Sequence, residues 1–281
     1  LNQILKQKVA IVSNVPQTTR NIVRGILNEK RGQIIFVDTP GIHKPKHRLG
    51  KYMNILAEDS ARGADVILHL VDSSEAVGEE ETMVVEHLCR YTPPIVVALN
   101  KIDLGGKFIP EYIKLWEDKK GKPITELGES LAIIPVSALK GVNIDRLLDV
   151  LFSRLTKGPL LYPEDVVSDF PQRLIFADII REKLFVCMRQ EVPHSIAVLV
   201  EDVVERSAKL TYIMAVIFVE RDSQKGIIIG DKGNVLKKVG SLTRQEIEKI
   251  LGKKVYLELN VKVKENWKQD EQLLRQMGII A

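Results

Sequence analysis

The chain has 281 residues, enough for two domains that each bury a core of their own. Hydrophobic residues make up 45% and charged residues 28%, a composition that is typical of soluble globular proteins and excludes fibrous or low-complexity classes. The net charge of +4 belongs to residues 173–281, which have 19 Lys and Arg against 15 Asp and Glu, whereas residues 1–172 have 22 of each sign. No apolar run reaches the roughly 20 residues of a membrane span, and the widely separated Cys89 and Cys187 predict reduced thiols in the cytoplasm.

Short apolar runs alternate with helical stretches in the first half of the chain. The runs are continuous rather than alternating, which predicts buried parallel strands at residues 34–37, 66–71, 95–99 and 133–136. The helical stretches between and after them cover residues 51–61, 79–88, 109–119 and 143–155. This order predicts a doubly wound α/β domain, which we assign to residues 1–157. Ligands bind at the carboxyl ends of the strands in such sheets, so functional residues should follow the apolar runs.

A stretch with Pro and Gly interrupts this pattern and predicts a linker at residues 158–171. The remainder, residues 172–281, predicts a smaller α+β domain. Its elements are a helix at 172–189, strands around 196–204 and 213–220, a helix at 234–251, a strand at 255–264 and a short helix near 270–276. The last strand alternates apolar and polar residues, which predicts a sheet with one solvated face.

The run Asp38-Thr39-Pro40-Gly41 directly follows the first predicted strand. Its carboxylate can reach Mg²⁺, and the glycine lets a backbone amide approach a γ-phosphate because no side chain stands in the way. Thr18 and Thr19 precede the strand, and a threonine in a loop that orders around nucleotide can be a second magnesium ligand. We prefer Thr19 for this role, with Thr18 as the alternative. Alone, the run is also an ordinary β-turn, so the prediction depends on its neighbours.

Two further motifs follow later strands and point to the base of a guanine nucleotide. In Asn100-Lys101-Ile102-Asp103, the aspartate can accept hydrogen bonds from guanine N1–H and from the exocyclic amine, which adenine does not offer. Lys101 can lie along the base, and Asn100 can tie neighbouring loops together. Backbone N–H groups of Ser137-Ala138-Leu139 can contact guanine O6. The motifs occur in the order that a regulatory GTPase needs, and together they predict a nucleotide site.

Gly230 and Gly233 flank Asp231 and Lys232 between an apolar run and a predicted helix. Such a loop lets an RNA backbone approach closely, with helix N–H groups facing its phosphates. Further lysines surround the loop in the basic part of the chain, namely Lys225, Lys237 and Lys238. The same pattern alone is also a glycine-capped turn. In this context it predicts a site for single-stranded RNA, and we expect no DNA partner. Because the loop should be exposed, we also expect substitutions of either glycine to leave the fold intact.

These motifs, in this order, resemble the Era family of GTPases over essentially the whole chain. The resemblance also includes Leu1-Asn-Gln-Ile-Leu-Lys-Gln-Lys8, Gln17-Thr-Thr-Arg20, Pro163-Glu-Asp165, Arg181-Glu-Lys183 and Val255-Tyr-Leu-Glu-Leu259. It implies a G-domain followed by a type II KH domain, with GTP or GDP and Mg²⁺ as cofactors and GTP hydrolysis as the reaction. It further implies a ribosome assembly factor that binds the 3′ end of 16S rRNA and the 30S subunit. Peripheral contact with the inner face of the cell membrane is part of the same expectation.

Two features depart from the common GTPase pattern. The phosphate-binding loop G-x-x-x-x-G-K-[ST] does not occur in the 281 residues, so we expect the N-terminally incomplete sequence of a normal GTPase, inactive as given. Ile42 stands where many GTPases have a water-orienting glutamine, a trait that the Era family shares, so no catalytic residue is assigned. The alternatives are an RNA-binding adaptor with an inactive nucleotide domain and a metabolic ATPase of similar fold. The motif at residues 100–103 argues against the ATPase.

Overall fold

The computed structural model describes residues 1–13, 15, 18–188 and 195–280. In the first domain, three parallel strands lie in the order β3 (Ile67–Asp72), β4 (Ile95–Asn100) and β5 (Leu131–Pro135). Residues 95–99 of the central strand are all buried, which explains their continuous apolar run. The predicted parallel pairing is confirmed for these three strands, whereas continuous burial holds for the central strand alone.

The first predicted strand is an exception. It is β2 (Gly32–Asp38), which pairs antiparallel with β1 (Val23–Glu29), a strand that the apolar pattern did not reveal. Polar residues within β1, among them the exposed Arg24 and Glu29, interrupt its apolar pattern. Within the described residues, β2 has no pairing with β3, and Val37 and Leu70 on these two strands are 42% and 60% exposed.

Helices cover both faces of the parallel sheet. The short α1 (Asn2–Leu5) packs on β1, and α2 (Arg48–Arg62) follows the hairpin. On one face, α3 (Glu79–Leu88) and α4 (Ile109–Lys120) enclose a core around the fully buried Trp116. On the other face, α5 (Ile144–Arg154) packs its leucines against β4 and β5. The doubly wound α/β arrangement is therefore confirmed.

The predicted linker is attached along the outer edge of the hairpin. The Ile26 N–H donates to the Val167 carbonyl at 2.8 Å, and the Ser168 hydroxyl donates to the Arg24 carbonyl at 2.6 Å. These bonds give β1 a partner on its second edge.

The second domain begins with α6 (Gln172–Cys187) and has a sheet in the order β6 (Ala197–Ser207), β7 (Leu210–Val219) and β8 (Lys254–Val263). β6 and β7 are antiparallel, and β7 and β8 are parallel. α6 and α8 (Asn234–Leu251) cover one face, where they pack on Ile213, Ile217 and Val255. The predicted alternation of the last strand is confirmed. The predicted end of the first helix at residue 189 lies outside the described residues.

A helix that the sequence pattern did not reveal, α7 (Asp222–Ile229), precedes the glycine loop. The apolar run at residues 227–229 is its last turn. Gly226 and a length of only eight residues hid the helical period, because such a segment shows barely two turns. The chain ends with α9 (Glu271–Gln276).

The two domains share a hydrophobic core, which we call the seam. Leu49 and Met53 of α2 pack there with Trp267 and with the leucines of α9. Trp267 is fully buried, and its indole N–H donates to the Ser195 carbonyl at 2.8 Å. The helix that follows the Asp38 motif is therefore packed directly against the second domain.

Candidate nucleotide and RNA sites

The loops after β4 and β5 are joined by side-chain hydrogen bonds. The Ala138 N–H donates to Asn100 Oδ1 at 2.9 Å, so Asn100 ties the two loops together as predicted. The buried Ser137 hydroxyl donates to Asp103 Oδ1 and accepts from the Lys140 N–H at 3.1 Å. Within the described residues, Oδ2 of Asp103 has no protein partner and can accept a ligand donor.

The same bonds narrow the choice of backbone donors for guanine O6. The Ser137 N–H donates to the Val142 carbonyl at 3.1 Å, and the Ala138 N–H is used by Asn100. Leu139 is 79% exposed at the tip of the loop, and its N–H has no partner in the described part of the chain. Of the three predicted residues, Leu139 is the one whose amide is free for a ligand.

The Lys101 side chain pairs with Asp72, a residue that none of the motifs indicated. The φ of Lys101, 64°, is in the left-handed region, and its ammonium donates to the Asp72 carboxylate at the end of β3. Burial raises the pKa of Asp72, but hydrogen bonds from Lys101 and Ser74 outweigh it and lower that pKa below its ordinary value. The signal was present, since Asp72 directly follows the apolar run at residues 66–71.

Thr19 and Asp38 meet, as the predicted magnesium site requires. The Thr19 hydroxyl lies 3.5 Å from Asp38 Oδ2, whereas the Thr18 hydroxyl donates to the Val15 carbonyl. Burial raises the pKa of the Asp38 carboxyl, so a cation beside it would stabilise its charged form. A hydroxyl and a carboxylate fit Mg²⁺, which keeps several water ligands and takes one or two carboxylates with phosphate oxygens. The geometry favours Thr19 over Thr18.

The turn after Asp38 keeps its glycine accessible. Thr39 is partly buried and Pro40 is buried, but nothing lies within 4 Å of the position that a Cβ on Gly41 would occupy. The Gly41 carbonyl lies 3.0 Å from Nδ1 of His43, which is 8% exposed. The turn is therefore fixed from behind by His43, with open space at Gly41 for a phosphate.

Residues 18–20 are held by the second domain. Arg181 of α6 donates to the Thr18 carbonyl at 2.7 Å and pairs with Asp178 at 2.7 Å. The guanidinium of Arg20 donates to the Ile196 carbonyl at 2.7 Å and lies 5.4 Å from the centre of the Trp267 ring. Burial, with repulsion from Arg181, lowers the pKa of Arg20 to about 9, so this side chain is still charged at neutral pH.

An ion-pair cluster holds the segment ahead of these threonines. Lys8 and Lys183 each pair with both Glu182 of α6 and Glu246 of α8. Oε2 of Glu182 also accepts from the Val12 N–H at 3.0 Å. Burial raises the pKa of each glutamate, but hydrogen bonds from the two lysines outweigh it and lower both values. No local pattern indicates this cluster, because its members are up to 238 positions apart.

The glycine loop joins α7 to α8 and contains three residues in the left-handed region. The φ angles of Gly230, Lys232 and Gly233 are 72°, 48° and 78°. A Cβ on Gly230 would lie 2.5 Å from Cγ2 of Val235 in the first turn of α8. The loop can therefore pack on α8 only with a glycine at this position. The expectation that a substitution of Gly230 leaves the fold intact is therefore wrong. Gly233 has open space, with only the Lys237 side chain at 4.0 Å.

The charged residues predicted for RNA binding surround this loop. Asp231, Lys232, Lys237 and Lys238 are exposed, and Lys225 is partly buried on α7. The structure thus brings together the lysines that the sequence placed on either side of the glycines.

Comparison with known proteins agrees with both domains. A family described as 50S ribosome-binding GTPase matches residues 1–101, and a KH domain family matches residues 191–268. GTPase Era of Thermotoga petrophila and GTPase Era of Halothermothrix orenii are each 43% identical to 99% of this chain, which covers 91% and 92% of their lengths.

Two solved structures match the entire chain and 93% of their own chains at 38% identity. One is Era in complex with MgGDPNP and nucleotides 1506–1542 of 16S ribosomal RNA, with a TM-score of 0.91. The other is an Aquifex aeolicus Era variant bound to GDP and AlF₄⁻, with a TM-score of 0.90. Fold and sites define a regulatory GTPase domain joined to a KH domain. At this identity and coverage, the chain belongs to the Era family of GTPases.

Proposed function

We propose that this protein is a GTP-switched ribosome assembly factor that binds the 3′ end of 16S rRNA, and through it the 30S subunit, with its KH domain. The observation that carries the proposal is the attachment of residues 18–20 to α6 and Ile196. Loops that order around GTP and Mg²⁺ in one domain are thereby fixed to the domain that would hold RNA. The solved Era complex with MgGDPNP and 16S rRNA nucleotides supports the same pair of ligands.

We assign the nucleotide contacts to the residues that the structure groups at the strand ends. Asp103, Asn100 and the amide of Leu139 would hold guanine, with Lys101, Ser137 and Ala138 supporting these loops. Thr19 and Asp38 would hold Mg²⁺, and residues 39–41 would face the γ-phosphate. When bound, the ion supplies charge neutralisation at the transferring phosphoryl group. The protein's own residues position the nucleotide.

The remaining assignments follow from the family resemblance. We place the domain boundaries at 157 and 172, with residues 158–171 as the linker. We also propose that the protein acts in the cytoplasm and that it makes peripheral contact with the membrane as a secondary property. Among the described residues, no helix is long and apolar enough to cross a membrane. The alternative of an RNA-binding adaptor with an inactive nucleotide domain is disfavoured, because the relatives that span this chain are GTPases.

The RNA proposal is tested by two variants at Gly233, which has open space for a side chain. Asn and Asp are both residues that adopt the left-handed backbone found at this position, but only Gly233→Asp places a negative charge where phosphates approach. We expect Gly233→Asp to abolish binding to an rRNA 3′-end oligonucleotide, measured by fluorescence anisotropy, and Gly233→Asn to weaken it only slightly.

Co-sedimentation with isolated subunits gives the second readout. Wild type should pellet with 30S and not with 50S subunits, and Gly233→Asp should stay in the supernatant. Circular dichroism checks that both variants fold. If folded Gly233→Asp binds the oligonucleotide as tightly as wild type, the loop is an ordinary turn and the proposed RNA site is wrong.

A further inference from the structure

The segment after Gly41 is strongly basic. Between residues 39 and 57 the chain has four Lys or Arg and no Asp or Glu, and we call the four the basic loop: Lys44, Lys46, Arg48 and Lys51. All four side chains are exposed. Arg48 pairs with Glu271 at 3.0 Å, but within the described residues the three lysines have no carboxylate partner. Three unpaired cations in a short segment make a polyanion the natural ligand.

The basic loop is firmly mounted at both ends. At its start, Asn54 accepts from the His43 N–H at 3.3 Å and donates to the His43 carbonyl at 2.8 Å. At its end, Leu49 and Met53 are 6% and 2% exposed in the seam. The lysines are therefore presented from a fixed backbone, so a ligand would not have to order the loop at an entropic cost.

A chain of contacts in the second domain links the basic loop to the glycine loop. Arg48 bonds to the side chain and carbonyl of Gln269, and the neighbouring Lys268 lies 3.6 Å from Glu220 at the end of β7. α7 begins two residues later and, with eight residues, spans about 12 Å to the glycine loop. The two basic regions are thus connected across one short helix.

We propose that the basic loop is a second RNA contact, which binds phosphates of the same strand whose neighbouring nucleotides occupy the glycine loop. The inference rests on the proposed function, because it takes the KH ligand to be RNA. Charge complementarity and this short path favour RNA over a lipid surface. Leu49 and Met53 are buried in the seam, which leaves Ile55 as a lone exposed large apolar side chain on α2 and too little apolar surface to anchor a membrane. The basic loop follows Gly41 after two residues. RNA bound to the basic loop would therefore lie next to the turn proposed to face the γ-phosphate.

The test compares one short oligonucleotide, which spans only the KH groove of about four nucleotides, with two longer ones extended at the 5′ or the 3′ end. In the 281-residue chain, Lys44→Ala combined with Lys46→Ala should weaken binding to one of the longer RNAs roughly tenfold. The slope of log K against log salt should fall by roughly 1.4, about 0.7 for each phosphate that a lysine no longer neutralises. Binding to the short RNA should not change.

The matched control is Lys114→Ala combined with Lys122→Ala, two exposed lysines on and just after α4, which packs on α3. It should leave all three affinities unchanged. Unchanged binding of both longer RNAs by the Lys44/Lys46 variant, or an equal reduction on the short RNA, would overturn the inference. So would loss of flotation with phosphatidylserine vesicles without any change in RNA binding. Failure of Gly233→Asp to weaken the short RNA would instead count against the proposed function.

Discussion

The two sides of the nucleotide site are built differently. On the base side, Asp103 accepts from the Ser137 hydroxyl and Asn100 accepts from the Ala138 N–H, entirely within the first domain. On the phosphate side, residues 18–20 have their main contacts with α6, Ile196 and Trp267 of the second domain. The proposed guanine site is therefore a local structure, whereas the loop with the threonine proposed for Mg²⁺ takes its conformation from the other domain. A change in the second domain is therefore expected to reach the phosphate side but not the base side.

The physical reason for this difference is the support beneath each loop. Loops that leave β4 and β5 start from fully buried backbone, and short polar side chains satisfy their amides. The described residues between 8 and 20 have neither helix nor strand of their own and obtain their hydrogen bonds from Glu182, Arg181 and Asn2.

The largest expected effect is on base recognition. Asp103→Asn replaces an acceptor with an amide that can donate to the exocyclic oxygen of xanthine. In protein that carries a G-x-x-x-x-G-K-[ST] loop ahead of Leu1, we expect GTP affinity to fall roughly a thousandfold, about 4 kcal/mol, and XTP to become the preferred nucleotide. Competition titration measures both affinities. If GTP still binds more tightly than XTP, Asp103 does not read the base.

A smaller effect should follow from removing the arginine that joins residues 18–20 to the second domain. Arg20→Ala leaves the Ile196 carbonyl without its charged donor and opens space beside Trp267, which should lower the free energy of unfolding by about 2–3 kcal/mol. Urea denaturation measures the decrease. The control is Arg24→Ala, because Arg24 is half exposed and pairs with Asp169 at 3.3 Å, which predicts a decrease of under about 1 kcal/mol. If the two variants lowered the free energy of unfolding equally, Arg20 would not stabilise the contact between the domains.

The smallest expected effect is on the pH dependence of the ion-pair cluster. The pKa values of Glu182 and Glu246 are lowered in the folded protein. Each carboxylate therefore stabilises the folded state fully at pH values above 4.5, the ordinary pKa of a glutamate. That contribution should disappear as the pH falls through the lowered values. We expect Glu246→Gln to flatten the acid limb of a stability–pH curve by about 1 kcal/mol relative to wild type.

The control for this curve is Glu126→Gln, because Glu126 is exposed and has no ion pair in the described part of the chain. Its acid limb should match that of wild type. The protection of the Val12 amide, which donates to Glu182, against hydrogen exchange should fall over the same pH range once the rate is divided by the intrinsic rate at each pH. If Glu246→Gln had the same acid limb as wild type and exchange at the Val12 amide were unchanged, the ion-pair cluster would not hold the segment ahead of Thr18.

The sequence by itself determined the elements with a strong period and the motifs at their ends. The central strand, α3 and α8 could be predicted because burial on one face or on both imposes a repeat that single residues reveal. The motifs at residues 38–41, 100–103 and 230–233 could be found because phosphate, guanine and RNA demand particular atoms at short spacing. Even the preference for Thr19 over Thr18 is the one that the geometry favours.

Only the tertiary structure decided how these parts are joined. Arg20 and Arg181 look like any surface arginines in the sequence, yet both are buried, because each donates to a backbone carbonyl that lies more than 150 positions away. Gly230 reads as a glycine for RNA, but the clash with Val235 is visible only once α8 is in place. Local patterns report what one segment needs from water or from a ligand. Contacts between distant segments depend on the packing of the entire chain, which no local pattern contains.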